Sequence, residues 1–325
     1  MQAVDMDAVL LAGGYATRLW PITRNRPKMF LPIGDGTVID RILRDLEGDD
    51  RIDRVLISTN REFAEEFRGY LAASAFEKPT VSVEETSFEG EKLGVVGALA
   101  QLIDRENVTD DLLVVAGDNY IGYDLSTFVD AFEQRDAPTL AAHDVGSLDR
   151  ARSYGVVTLE DERVVDFQEK PENPESTLVS IACYAFPGDA LGLFEEYLES
   201  GNNPDEPGWF IQWLQNRVPT YAFPFDDAWF DIGEPEAYLE TVAFHLDGDA
   251  KVASGATVTD SEIGENVLIL EDAKVTDASL AETVVFSGAE ITGATLEGSI
   301  VDEEAVVDGI DLSGSLVGAY TRLSD

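Results

Sequence analysis

The chain has 325 residues, with 64 Asp and Glu against 22 Lys and Arg, for a formal net charge of −42. At 44% hydrophobic and 9% aromatic residues it has ample material for a core, which excludes an acidic disordered chain. Its mean field repels phosphate polymers, which argues against general binding to nucleic acid or anionic membrane. The basic residues are 6 Lys and 16 Arg. Scarce Lys beside abundant Asp and Glu suggests a protein tuned to concentrated salt. At ~1 M salt the Debye length is only ~3 Å, so self-repulsion is screened. One cysteine, Cys183, excludes an internal disulfide framework. The two histidines, His143 and His245, form no zinc motif. No apolar run reaches 18 residues and the N-terminus is acidic, so neither a membrane span nor a signal peptide is expected, and a cytoplasmic chain is.

In chain order, Ala8–Leu11 is a buried strand that stops at Gly13-Gly14. Val38, Ile39, Ile42, Leu43 and Leu46 recur at helical spacing. Arg54–Ser58 predicts a strand, and Phe63, Phe67, Tyr70 and Leu71 a second helix. Val81–Val83 reads as a strand and Gly97–Ile103 as a helix. Leu112–Ala116 is a strongly apolar strand ending at Gly117-Asp118. Strand alternating with helix implies right-handed crossovers and a doubly wound, mostly parallel (Rossmann-like) α/β sheet. Ligands of such sheets gather beyond the carboxyl ends of strands, where both glycine turns fall. Gly155–Leu159 and Val164–Gln168 predict a hairpin, and Leu178–Phe186 a strand. Helices are expected around Leu191–Leu198, Trp209–Asn216 and Pro235–His245.

A first domain of residues 1–248 and a second of 249–325 follow. In the second, Gly255-Ala256, Asp272-Ala273, Gly288-Ala289 and Glu304-Ala305 open four units at offsets of 17, 16 and 16 residues. Three apolar columns recur: Val258, Val275, Ile291, Val307; Ile263, Leu280, Leu296, Leu312; and Val267, Val284, Ile300, Leu316. A turn position recurs as Asp260, Asp277, Gly293 and Gly309. This period predicts one coil of a β-solenoid per unit, a short left-handed β-helix. Its scattered acids read as a solvated face. It has no histidine to act as a base, so acyl transfer by the tail is not expected, and assembly into a homo-oligomer (trimer or dimer) or regulation is.

The densest chemistry lies in Leu11-Ala12-Gly13-Gly14-Tyr15-Ala16-Thr17-Arg18-Leu19-Trp20-Pro21, followed by Pro27-Lys28 and Leu31-Pro32-Ile33. A glycine pair past a strand lets backbone N–H groups approach phosphate. Arg18, Arg24, Arg26 and Lys28 fall within eleven positions without one acid. The segment resembles the signature of sugar-1-phosphate nucleotidylyltransferases, GGxGTRLxPxTxxxPKxxLPI, with Ala16 where the family commonly has Gly. The resemblance runs from about residue 6 to 246. It is to the branch of glucose-1-phosphate thymidylyl- and uridylyltransferases and mannose-1-phosphate guanylyltransferases.

That resemblance implies roles. Leu11, Ala12, Gly13, Gly14, Thr17 and Arg18 would bind nucleotide, with Arg18 on the departing pyrophosphate. Asp118, in Gly117-Asp118-Asn119, and Asp231, in Trp229-Phe230-Asp231-Ile232-Gly233, would share Mg²⁺ beside the triphosphate. Two carboxylates ~4 Å apart repel by ~4 kcal/mol at an effective dielectric near 20, and a divalent cation removes that penalty. In Phe167-Gln168-Glu169-Lys170-Pro171, Glu169 would meet sugar hydroxyls and Lys170, with Lys28, the sugar phosphate. Tyr154-Gly155-Val156-Val157 would lie against the sugar through its backbone. Lys92-Leu93-Gly94-Val95-Val96-Gly97-Ala98-Leu99 resembles the family's base-proximal segment. The Gln common in pyrimidine-selective members is not evident upstream; Glu84-Glu85 stands there instead, before an apparent insertion at Thr86–Glu91. The substrates implied are an NTP and a hexose-1-phosphate, glucose-1-phosphate with dTTP or UTP foremost and mannose-1-phosphate with GTP as the alternative. A non-catalytic nucleotide-sugar sensor is the reading from a different class. Cys183, Phe210, Trp209 and Trp213 read as packing residues.

Overall fold

A computed structural model describes residues 5–84 and 93–325. Glu85, the Thr86–Glu91 insertion and Lys92 therefore lie outside the described residues. The first part of the chain runs β1 (Met6–Leu11), α1 (Val38–Gly48), β2 (Ile52–Thr59), α2 (Ala64–Ala73), β3 (Pro79–Val83), α3 (Gly94–Arg105) and β4 (Asp111–Ala116). It continues through β5 (Asn119–Ile121), α4 (Leu125–Arg135), β6 (Thr139–Asp144), α5 (Leu148–Ala151), β7 (Gly155–Glu160), β8 (Arg163–Glu169) and β9 (Leu178–Phe186). Then come α6 (Gly192–Glu199), α7 (Pro207–Leu214), β10 (Tyr221–Phe225), β11 (Trp229–Asp231) and α8 (Pro235–Leu246).

Two compact units result. One comprises residues 1–14 and 41–229, the other 15–40 and 230–325. The sheet of the first unit has the order β3-β2-β1-β4-β9-β6-β10-β8-β7. Strands β1 to β4, β6 and β10 run one way, and β9 runs antiparallel between β4 and β6. The expected hairpin forms as β7–β8, with Gly155 opposite Glu169. Every residue of β1 from Met6 to Leu10 is buried, as a strand covered on both faces must be. Around it Val9, Leu56, Leu99, Val114, Leu140, Phe167, Phe194 and Phe210 share one core. Cys183 is fully buried against Tyr123, and Phe210 packs among Phe194, Tyr197 and Trp213, while Trp209 stays 37% exposed. Among the described residues no helix is long and apolar enough to cross a membrane.

In the second unit the tail forms three parallel sheets. One holds Ala250–Val252, Val267–Ile269, Val284–Val285, Ile300–Val301 and Leu316–Val317. The second holds Thr257–Thr259, Lys274–Thr276, Glu290–Thr292, Val306–Asp308 and Arg322–Ser324; the third runs from Glu262–Ile263 to Leu312–Ser313. Each circuit of chain adds one strand to each sheet, which is consistent with a β-helix. Two predicted columns are in register: Val258, Val275, Ile291 and Val307 pair in series, and so do Ile263, Leu280, Leu296 and Leu312. The turn column also holds, since Asp260, Asp277, Gly293 and Gly309 all have positive φ.

The third column needs correction. Val284, Ile300 and Leu316 pair in series as expected, but Val284 pairs with Leu268, not Val267, and it is Val267, Ile269, Val285, Val301 and Val317 that lie in the tail core. Both residues of these short strands are buried, so alternation gives no phase. A second correction concerns the acids. Asp302 is only 2% exposed and is not part of a solvated face.

Candidate nucleotide and sugar-phosphate site

In the first unit β1 ends between two neighbours that fix the glycine turn. Ala12 N–H donates to Ser58 O at 2.8 Å and Gly117 N–H to Leu11 O at 2.9 Å. Thr59 Oγ1 donates to Ala12 O at 3.1 Å and Asn60 Nδ2 to Gly13 O at 3.0 Å. Glu84 follows β3 and hangs by its N–H from Thr59 O at 2.9 Å. Its carboxylate lies over Gly13, so a Cβ there would fall 2.5 Å from Glu84 Oε1. The glycine at 13 is therefore a matter of space, whereas a Cβ at Gly14 would meet nothing within 4 Å. Among the sequence-predicted residues, Leu11, Ala12, Gly13, Gly14 and Glu84 thus surround one turn beyond the carboxyl ends of β1 and β3.

Gly94 opens α3 with φ 71°. Val95 N–H donates to Asp205 O at 3.1 Å and Val96 N–H to Pro204 O at 2.9 Å. The helix N-terminus is thus sealed by the loop that leads into Glu206, and the glycine permits the close backbone approach.

Asp118 follows β4 and is half-buried. Its Oδ1 accepts from Asn119 Nδ2 at 2.9 Å, and Asn119 Oδ1 in turn accepts from Trp229 Nε1 at 2.6 Å. Buried Asn119 and Trp229 therefore orient the carboxylate, a role that sequence reading had not assigned them.

At the end of β8, Glu169 is seated between glycines. A Cβ at Gly155 would lie 2.9 Å from Glu169 Oε2, and one at Gly208 would overlap the carboxylate. Glu169 N–H donates to Gln212 Oε1 at 2.9 Å. Lys170 adopts a left-handed φ of 44°, and its ammonium pairs with Glu206. Glu206 also hydrogen-bonds the Glu169 carboxyl. Burial first, then this neighbour, pushes Glu169 up to about 7, while Lys170 holds Glu206 below the ordinary carboxylate range. The predicted trio Gly155, Glu169 and Lys170 is brought together. Glu206, Gly208 and Gln212 were missed, and the only signal was Pro207 opening a helix beside them.

A stability prediction follows with a definite sign. Ionising Glu169 is harder in the folded chain than at its ordinary value of 4.5. Its contribution is therefore present below about 4.5 and lost as pH rises through about 7. Glu169→Gln fixes the neutral form, so the decline in Tm between those two pH values should be shallower in the variant. Parallel Tm-against-pH curves would refute the raised Glu169 pKa.

In the second unit Thr17–Leu19 forms a 3₁₀ turn whose N-cap, Ala16, has φ 47°. The left-handed backbone explains why a family member would carry glycine here. Arg18 Nη1 donates to Glu234 Oε1 at 2.9 Å, both side chains more than half exposed. A Cβ at Gly233 would lie 3.1 Å from Arg18 Nη2 and 3.5 Å from Asp231 Oδ1. Arg18 and Asp231 thus both lie close to Gly233. Lys28 begins a second 3₁₀ turn, half-buried.

The basic cluster of the sequence does not act as one. Arg24 lies over the Trp20 ring at 6.0 Å, and Arg26 is tied to Asp302 at 2.8 Å and Glu303 at 3.2 Å. Among the described residues no group of three or more His, Cys, Asp or Glu could hold a metal. Asp118 in the first unit and Asp231 in the second each present a half-exposed carboxylate, the donor type that Mg²⁺ takes. That ion ordinarily takes one or two protein carboxylates and fills its sphere with phosphate oxygens and water.

A doubly wound sheet with a glycine turn beyond an interior parallel strand, and a Glu-Lys pair at the end of a hairpin, defines a nucleotide-handling α/β protein. The chain belongs to the nucleotidyl transferase family, whose model matches residues 7–248. It is 30% identical over 235 residues to a protein of Sulfolobus acidocaldarius named as a mannose-1-phosphate guanyltransferase, covering 72% of this chain and 61% of the relative. It is 29% identical over 260 residues to the UTP–glucose-1-phosphate uridylyltransferase of Synechocystis sp., covering 76% and 65%. A UDP-glucose pyrophosphorylase solved with UDP-glucose shares the fold, with a TM-score of 0.63 at 21% identity, covering 75% of this chain and 99% of that one. The chain spans about three fifths of the length of the curated relatives it matches.

Proposed function

We propose that the chain is a sugar-1-phosphate nucleotidylyltransferase, most consistent with glucose-1-phosphate and dTTP or UTP as substrates. The observation that carries the reading is the paired construction of the first unit. It has a glycine turn held open beyond β1, and a Glu169-Lys170-Glu206 pocket lined by Gly155 and Gly208.

In this reading a phosphate oxygen of the sugar phosphate attacks the α-phosphorus of the NTP. A new P–O bond forms, the bond from the α-phosphorus to the bridging oxygen breaks, and pyrophosphate leaves with that electron pair. The attacking oxygen is already ionised, so no general base is needed. The barrier is mainly mutual repulsion and positioning. Gly13 and Gly14 present backbone amides to the nucleotide, beside Leu11, Ala12 and Thr17, and Gly94 and Glu84 belong to the base end. Arg18 stabilises the charge that develops on the leaving pyrophosphate. Lys28 and Lys170 neutralise the sugar phosphate, and Glu169 and the Gly155 backbone orient the sugar. Mg²⁺, assigned to Asp118 and Asp231, would supply further charge neutralisation on the phosphates.

A second reading, mannose-1-phosphate with GTP, is favoured by Glu84. Guanine presents N1–H and N2–H₂ side by side, and a carboxylate can accept both. The name of the Sulfolobus relative agrees. The tail is read as a left-handed β-helix serving homo-oligomer assembly (trimer or dimer). The surface is read as halophilic and the chain as cytoplasmic, with no nucleic-acid or membrane partner.

Pyrophosphate release should be measured at high salt with Mg²⁺ for four NTPs against several hexose-1-phosphates. The expected result is turnover with glucose-1-phosphate and dTTP or UTP. Turnover confined to GTP with mannose-1-phosphate would replace the first reading by the second. Silence with every pair would favour a nucleotide-sugar sensor.

A further inference from the structure

The tail repeat has one column that does not repeat chemically. Leu270, Phe286, Asp302 and Gly318 occupy the same place in successive coils, sixteen residues apart. Their N–H groups donate in series to Val285, Val301 and Val317 for the first three. Three of these four positions touch the signature segment within the second unit. The Arg26 guanidinium lies over the Phe286 ring at 4.8 Å. Its Nη2 pairs with Asp302 Oδ1 at 2.8 Å, where the two side chains are 18% and 3% exposed. A Cβ at Gly318 would fall 2.8 Å from Pro21 Cβ, so the last of these coils is held against Pro21 by the lack of a side chain.

The Asp302 carboxylate also accepts from its neighbours, Glu303 N–H at 2.8 Å and the Ala319 backbone. Burial pushes its pKa up and Arg26 opposes the shift. An ion pair this sheltered is screened far less by salt than a surface pair. The segment is held at two further points, by Tyr238 Oη donating to Pro32 O at 2.8 Å and by the Lys251–Asp35 pair. The anchors Pro21 and Arg26 fall between Arg18 and Lys28, the two cations assigned to the reaction.

We propose that this column is a clamp that sets the position of the signature segment, and that Arg26 and Asp302 are positioning residues for turnover. The catalytic half of the proposal rests on the nucleotidylyltransferase reading. The mechanical half does not. The tail then has a task inside its own chain, distinct from assembly. It converts a loop without long secondary structure into a platform for Arg18 and Lys28.

The test uses the full chain as wild type, Arg26→Gln, Asp302→Asn and the double variant. Amide hydrogen exchange over residues 15–33 is measured together with kcat and both KM values. Each single variant should speed exchange in that segment by about tenfold or more, leave β1 and β4 unchanged, and lower kcat with little change in KM. The double variant should be no worse than the worse single, because leaving one charge buried and alone is the main cost. Unchanged exchange in the singles, additive effects in the double, or faster exchange with an unaltered kcat would each overturn the proposal. If the charge variants fail to fold, Gly318→Ala, which presses on Pro21, should give a milder form of the same exchange and kcat changes. No response there would equally overturn the clamp. A wild type that releases no pyrophosphate sinks the enzymatic reading alone, and the exchange data still decide the mechanical half.

Discussion

Asp118→Asn and Asp231→Asn are each expected to lower kcat by about a thousandfold, roughly 4 kcal/mol of transition-state stabilisation. The chain carries a net charge of −42, so loss of one negative charge is trivial for the molecule as a whole. It matters only where that charge meets a cation that meets phosphate. Asn keeps the shape, and at position 118 its carbonyl can still accept from Asn119, so the fold should survive. Asp226→Asn and Asp227→Asn, on exposed acids just before β11, serve as controls and should leave kcat unchanged. Pyrophosphate release at saturating substrate decides the matter, and near-normal turnover in either variant would remove that residue from the metal assignment.

Gly94→Ala should produce the largest stability loss of any methyl added to the first unit. The new Cβ would overlap the Pro204 carbonyl and lie 2.6 Å from Asp205 Cα, both backbone atoms that no side-chain rotation can move aside. The φ of 71° adds about 1–2 kcal/mol for a residue with a Cβ. Two hydrogen bonds, from Val95 and Val96 N–H, are strained at about 1 kcal/mol each. Together this predicts a loss of about 3–4 kcal/mol and a fall in Tm on the order of 10 °C. The displaced loop leads into Glu206, so the KM for sugar phosphate should rise as well. Gly69→Ala makes the same chemical change inside α2 with nothing within 4 Å, and should stabilise by about 0.5–1 kcal/mol. A Gly94→Ala protein that melts with the wild type would show that the α3 N-terminus and the 204–205 loop are not in contact.

Much of the architecture was legible because it is local. Strands β1 and β4 are apolar runs cut by glycine, and the β7–β8 hairpin shows as two alternating stretches around a polar turn. The tail columns repeat because each coil repeats one environment. Helix α4 was passed over although its signals were present. Asp124 caps Ser126 N–H, and Leu125, Phe128, Val129 and Phe132 share its buried face. Strand β10 was hidden by Pro224, which sits opposite Ala142 in the parallel pairing with β6.

The signature motif marked the residues of the candidate site but not their neighbours. Nothing near Glu169 in sequence announces Glu206, which arrives from the start of α7 to hydrogen-bond its carboxyl. Asp302 looks like any other acid of an acidic tail until the fold places Arg26 against it. Such partners become visible only once tertiary structure exists. The shifted phase of the third column has the opposite cause: strands two residues long and buried on both sides carry no alternation to read.

Arg26 and its carboxylate partner stand 276 residues apart. During synthesis the signature loop leaves the ribosome long before the coil that grips it. A nascent chain that has not yet reached the Asp302 coil, or a variant lacking that coil, would hold every motif residue and still lack the support for Arg18 and Lys28. Contacts of such long range slow folding, and activity should mature only after the Asp302 coil has been made and has folded onto the loop.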